Sequence, residues 1–239
     1  MPEYDDTFLK DEHAAEVAIR FPGFLRRLLP PLIAVGILLI AVRLVLVTAG
    51  IWLPIEYRMP GFPADTYGFS MAERIKWAQV DIDYLVDGDL SIDFYDALKL
   101  ESGEPMHNER ELSHMEDVKI LVNQAWMVAK YGLLISVILL GALAYLESPV
   151  STAIELQRGA RLTFIIMAIL VAGVLIGFTT IFVGFHNIFF AADTWLFRYS
   201  DTFIRLFPER FWRDSFIMVG AFASVLAGSL VWVGGWLKK

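Results

Sequence analysis

Four long apolar stretches, 29–53, 125–146, 162–186 and 215–237, alternate with polar segments along the chain. Each reaches the length of about 20 residues that an α-helix needs to cross a bilayer, so the pattern predicts four transmembrane helices. Arg43 interrupts the first and Lys130 lies near the start of the second, whereas the last two carry no Asp, Glu, Lys or Arg. The first is longer than a signal-peptide core and follows a polar segment, so Val47-Thr48-Ala49 reads as part of a retained anchor rather than a cleavage site.

Residues 54–124, between the first two spans, are patterned as a cap. Ser70 followed by Glu73 forms a capping box, and Ile75, Ala78, Ile82 and Leu85 recur at helical spacing. Gly88-Asp89 ends that helix, and Ser102-Gly103-Glu104-Pro105 reads as a turn between two short strands. Asn108 with Glu111 opens a second helix, and Leu112, Met115, Val118 and Leu121 lead it into the second span. That span is therefore expected to begin as an amphipathic outer helix. The third is expected to start at Thr152, with Glu155 as capping partner, after a loop over 147–161. Residues 187–214 form the other outer loop.

Composition agrees with this pattern. The chain is 56% hydrophobic with a mean hydropathy of +0.55, and its 20% charged residues gather in the wet segments. The predicted architecture is an all-α membrane protein, a four-transmembrane-helix bundle with an extracytoplasmic cap. Lys10, Arg20, Arg26 and Arg27 in residues 1–28, Arg158 and Arg161 after span two, and Lys238-Lys239 place those parts in the cytoplasm by the positive-inside rule. The segment from Pro54 to Val118, with fifteen acids against five bases, then lies outside. Arg198, Arg205, Arg210 and Arg213 in the second outer loop run against that assignment. A net charge of −7 without a basic run disfavours a nucleic-acid partner. The absence of cysteine excludes disulfides, thiolate metal sites and a cysteine nucleophile.

Four histidines occur. His13 and His107 lie in polar, unpatterned surroundings and are expected to face solvent. His114 and His186 stand at the outer ends of spans two and three. If the hairpin between them turns at Glu147 to Thr152, its arms are 33 and 34 residues long. At about 1.5 Å per residue, both histidines then stand roughly 50 Å from the turn and side by side. Aligning the apolar stretches instead lifts His114 roughly 15 Å above His186 by the same rise, a difference that a tilt or kink must absorb. Two imidazoles at one level can divide proton work between a nucleophile and a leaving group. The alternative is that each is an interfacial side chain with a wet tip. Asp117, three residues after His114, is a candidate to orient it or to stabilise its charged form. A metal site made by both histidines with Asp117 or Asp193 is another arrangement the residues allow. No Gly-x-Ser-x-Gly elbow or His-Glu-x-x-His helix is present. The simplest acyl chemistry is direct transfer between groups that the substrate itself supplies.

Glu111-Leu112-Ser113-His114-Met115-Glu116-Asp117-Val118-Lys119, Phe185-His186-Asn187-Ile188-Phe189-Phe190, Asp193-Thr194-Trp195-Leu196-Phe197 and Asp201 to Trp212 resemble the signature blocks of the bacterial lipoprotein intramolecular transacylases, the Lit family. The resemblance covers roughly residues 29–237 and is loose over Met59 to Met106. It implies transfer of the sn-2 acyl chain of an S-diacylglyceryl cysteine to that cysteine's own α-amino group, giving a lyso-form lipoprotein. It also implies that His114 and His186 are the catalytic pair; Asp117 and Asp193 are the candidates to orient them, and the transfer itself calls for neither cofactor nor metal. The partners would be a diacylated lipoprotein and membrane lipid.

Aromatic residues gather near the outer boundary, where an ordinary aromatic belt is also expected. Trp77, Tyr84, Trp126, Phe189, Phe190 and Trp195 are the candidates to confine an acyl-glyceryl group and exclude water. Arg43, so far inside a span, needs either a polar partner in the bundle or a substrate group. Two rival functions stay open: a non-catalytic membrane subunit that holds a partner through the cap, and a membrane lipid hydrolase.

Overall fold

The computed structural model describes residues 20–239, so His13 and most of the basic segment 1–28 lie outside the described residues. Among the described residues eight helices follow one another: α1 (Gly23–Val47), α2 (Ala49–Glu56), α3 (Met71–Val86), α4 (Ile92–Asp96), α5 (Glu109–Leu146), α6 (Pro149–Phe189), α7 (Thr202–Leu206) and α8 (Glu209–Trp236). Helices α1, α5, α6 and α8 are long and apolar enough to cross a membrane, and they bundle together. Helices α2, α3, α4 and α7 make the cap at one end.

The bundle closes on small residues. Ala41, Ala160, Ala223 and Ala227 lie fully buried among Leu29, Ile33, Leu143 and Met167. A Cβ on Gly159 would stand 2.6 Å from Ile33 Cγ2, so α1 and α6 approach as closely as they do because position 159 has no side chain. At the end opposite the cap, Glu155 is fully buried and receives Arg26 and Arg158, each at 2.8 Å. Arg26 also reaches Glu147 at 3.0 Å and so ties α1 to the α5–α6 turn.

Three local details depart from expectation. Helix α6 starts at Pro149, capped by the Ser148 hydroxyl, which accepts from the Ser151 amide at 3.1 Å. Thr152 instead donates its hydroxyl to the Leu140 carbonyl, and Glu155 serves the ion pairs just described. Proline at the first helical position loses no hydrogen bond there, which moves the start upstream of Thr152. Second, Thr48 breaks the first apolar stretch into α1 and α2, its hydroxyl turned back onto the Leu44 carbonyl at 2.7 Å. Third, the turn at Ser102 to Pro105 carries only an isolated bridge between Lys99 and Pro105, with Gly103 at φ +86°. Both capping boxes form: Ser70 with Glu73 opens α3, and Asn108 with Glu111 opens α5. As expected, α5 runs unbroken from the cap into the bundle.

The cap has a polar centre inside an aromatic shell. His107 is buried, which corrects the solvent-facing expectation: its Nε2 lies 3.1 Å from Asp81 Oδ1. The Tyr95 hydroxyl donates to the same oxygen at 2.6 Å, and the rings of Tyr84, Tyr95 and His107 stack in sequence. Burial pushes the Asp81 carboxyl above its ordinary value, with His107 and Tyr95 pulling in the opposite direction. Trp77 packs with Met106 and Leu206 in the cap interior.

Candidate active site

Helix α7 and the loop before it are pinned onto the cap from several sides. Glu111 accepts the Phe203 amide at 2.8 Å, Thr202 donates to the Met106 carbonyl at 2.6 Å, and Arg74 donates to the carbonyls of Arg205 and Pro63. The Tyr57 hydroxyl donates to the Leu206 carbonyl. These bonds hold the loop's aromatic side chains over the ends of α5 and α6.

There the two expected histidines meet. The rings of His114 and His186 lie 6.0 Å apart, inclined by 24°, and both residues are 8% exposed. The equal-arm ruler thus gives the right answer. Helix α6 is three residues longer at its start than expected, and it breaks at Gly177 (φ −150°, ψ 57°), which bends the arm between the hairpin turn and His186. The Nδ1 of His186 lies 2.7 Å from the Phe182 carbonyl oxygen. A carbonyl only accepts, so Nδ1 carries the proton, and in the neutral ring Nε2 keeps its lone pair. His114 Nδ1 is buried with no hydrogen-bond partner, as is Trp195 Nε1. No hydrogen bond joins the two imidazoles.

Aromatic rings close around the pair. Phe190 touches both, 4.8 Å from His114 and 5.5 Å from His186. Trp195 lies 4.7 Å from His186, and Phe197 lies 5.4 Å from His114. The ring of Phe182, absent from the expected site residues, is nearest of all at 4.1 Å from His186. Its signal was the four-residue spacing of Phe178, Phe182 and His186, which puts the three on one helical face.

The other candidates divide. Phe189 and Phe190, with Asp117, Ile120, Leu121 and Gln124 of α5, line a groove of about 340 Å³ beside the histidines. Asp117 makes no hydrogen bond to His114 or to any other described residue, so no direct bond supports an orienting role for it. Asp193 is exposed, in the left-handed region at φ 69°. Tyr84 and Trp77 are buried in the cap interior, and neither contributes a ring to the histidine wall. Trp126 lies below Arg43, whose guanidinium carbon is 5.2 Å from the indole centroid. Arg43 Nη2 reaches up to the Val86 carbonyl at 3.2 Å, so this in-span charge has a bundle partner at the end of α3. Among the described residues no three His, Asp or Glu side chains converge as a metal-ligand set.

The family model described as lipoprotein intramolecular transacylase Lit matches residues 28–212. This chain belongs to the Lit family. A protein of Aquifex aeolicus (strain VF5), named only as uncharacterized, is 32% identical over 186 residues, covering 77% of this chain and 81% of that one. The membrane-integral lipoprotein intramolecular transacylase Lit of Bacillus cereus has a similar solved structure: TM-score 0.68 at 22% identity, over 91% of this chain and 98% of that one. A variant of it with one histidine replaced by alanine aligns with a TM-score of 0.64 at 21% identity, over 90% of this chain and 93% of that one. The Lit fold, a membrane bundle of four helices with a cap, is therefore the fold of this protein.

Proposed function

We propose that this Lit protein moves the sn-2 acyl chain of an S-diacylglyceryl cysteine to the α-amino group of the same cysteine. The amine attacks the ester carbonyl, the bond to the sn-2 oxygen breaks, and an amide and a free hydroxyl result. The proton lost by the amine is the proton gained by the sn-2 oxygen, so the imidazoles relay one proton and finish neutral. His186 Nε2, left unprotonated by the Nδ1–H···O=C bond to Phe182, is suited to accept it. The observation that carries this reading is the meeting of His114 and His186 inside an aromatic enclosure with no carboxylate hydrogen-bonded to either ring. Such an enclosure restricts water, which would divert the ester to hydrolysis, and holds the two ends of one substrate together. Correctly oriented intramolecular reactions reach effective molarities of about 10⁵ to 10⁸ M.

The positive-inside distribution supports the α5–α6 turn and both chain ends in the cytoplasm, with the cap and the histidines at the outer face. The test is mass spectrometry of a diacylated lipopeptide incubated with the purified protein. The expected product has unchanged mass and carries an N-acyl chain on a lyso-glyceryl group. Release of free fatty acid would show a hydrolase, and an unaltered lipopeptide would leave the cap as a binding module.

A further inference from the structure

Asp117 sits one helical turn beyond His114, in the wall of the groove between the outer part of α5 and the end of α6. Phe190 is shared: it lines the groove and its ring contacts both histidines. The groove thus adjoins the imidazole pair through this ring. Its other walls near Asp117 are Ile120, Leu121 and Phe189, with Gln124 the remaining polar side chain of α5. The carboxylate has no ion-pair partner among the described residues. The nearest base in sequence, Lys119, is turned away from it: its ammonium donates to the carbonyls of Asp87 and Leu90 and lies 4.1 Å from the Tyr84 ring centroid. A half-buried carboxylate that is the groove's one charge attracts a cation of complementary size, and primary ammonium groups make charge-assisted hydrogen bonds of this kind.

We infer that Asp117 receives the α-ammonium group of the lipidated cysteine and sets the enzyme's preference for substrates with a free amino terminus. The inference rests on the transacylase reading, because the group bound is the one that reaction acylates. The ammonium loses one proton on becoming the attacking amine and a second on forming the amide. One of these ends on the sn-2 oxygen and the other in solvent. Asp117 takes neither: it positions the nitrogen one turn from His114 and leaves the proton transfers to the imidazoles. An N-acylated lipopeptide has an amide in place of the cation, so it cannot pair with Asp117 and is discriminated against.

The experiment measures binding of two lipopeptides at pH 7, where an α-amine of ordinary pKa near 8 is mostly protonated. One has a free amine and the other is N-acetylated, and both are bound to a His186→Ala protein so that turnover does not interfere. The free-amine form is expected to bind about tenfold more tightly, the scale of one hydrogen bond to a charged group. Asp117→Asn should abolish that preference, and Asp117→Glu should restore part of it. Retention of the full preference in Asp117→Asn, or no preference in the Asp117 protein, overturns the inference. A residue that only oriented His114 or supported the fold would change both affinities together and leave their ratio alone. Conversion of the lipopeptide by the unsubstituted enzyme is scored separately. Conversion with an Asp117-independent preference sinks this inference alone. An Asp117-dependent preference without conversion sinks the transacylase reading and keeps the receptor.

Discussion

Two histidine environments lie within one aromatic layer, and they are built oppositely. His107, in the cap, is buried beside a carboxylate at 3.1 Å and stacked on Tyr95. His114 is buried to a similar degree, and the Nδ1 of each ring lacks a partner, but His114 has no hydrogen bond at either nitrogen and its neighbours are rings. Phe203 touches both, 4.8 Å from His107 and 6.3 Å from His114. The histidine bonded to a carboxylate anchors the cap, and on the transacylase reading the one with no hydrogen bond faces the reaction. Burial alone does not separate the two; the hydrogen-bond partner does.

The largest contrast is expected in activity. Replacing His114 or His186 by alanine should lower N-acylation about 10²- to 10⁴-fold, the usual range for a positioned proton-transfer group, while the thermal midpoint in detergent stays near that of the parent. Near-normal turnover of both variants would break the assignment. His107→Ala should behave in reverse. Losing the ring and leaving the buried Asp81 with the Tyr95 hydroxyl as its remaining partner should destabilise the cap by about 2 to 4 kcal/mol, with turnover per folded molecule within about tenfold of the parent. If its turnover fell as far as that of His114→Ala, the division between anchoring and reacting histidines would collapse.

A smaller effect separates the cap from the bundle by pH. Burial, then the neighbouring Asp214 carboxyl, raises the Glu56 carboxyl from its ordinary value to about 7. The folded state therefore holds a proton that the unfolded chain releases, and stability falls as pH rises from the ordinary carboxyl range through about 7. Glu56→Gln, neutral at every pH, should be more stable than the parent by about 1 kcal/mol at pH 8. That gain should vanish by pH 4, which thermal melts across this range would show. A gain independent of pH would mean that the carboxyl does not titrate in this window.

The periodicity of the chain made the four spans, both capping boxes and the continuity of α5 legible, because each depends on local spacing. The histidine pair was legible too, through the equal lengths of two helical arms. What failed were properties fixed by distant residues. His107 looked solvent-facing because its sequence neighbours are polar, yet its partner Asp81 comes from α3. Trp77 and Tyr84 share the aromatic character of the site residues, and only packing sends them into the cap interior. Thr152 and Glu155 match a capping box, but Ser148 and Pro149 start the helix first. Phe182 acts through its backbone carbonyl, which carries no signature of residue type.

The central claim is that His114 and His186 serve a transfer confined to one substrate molecule, and an isotope-crossover measurement tests it most directly. Two lipopeptides of different peptide mass, only one with a labelled sn-2 acyl chain, are incubated together with the enzyme and the N-acylated products are weighed. The account expects the label only on the nitrogen of the lipopeptide that brought it, even with the unlabelled partner in excess. Label distributed over both products would contradict it and require an acyl-enzyme or an external acyl donor.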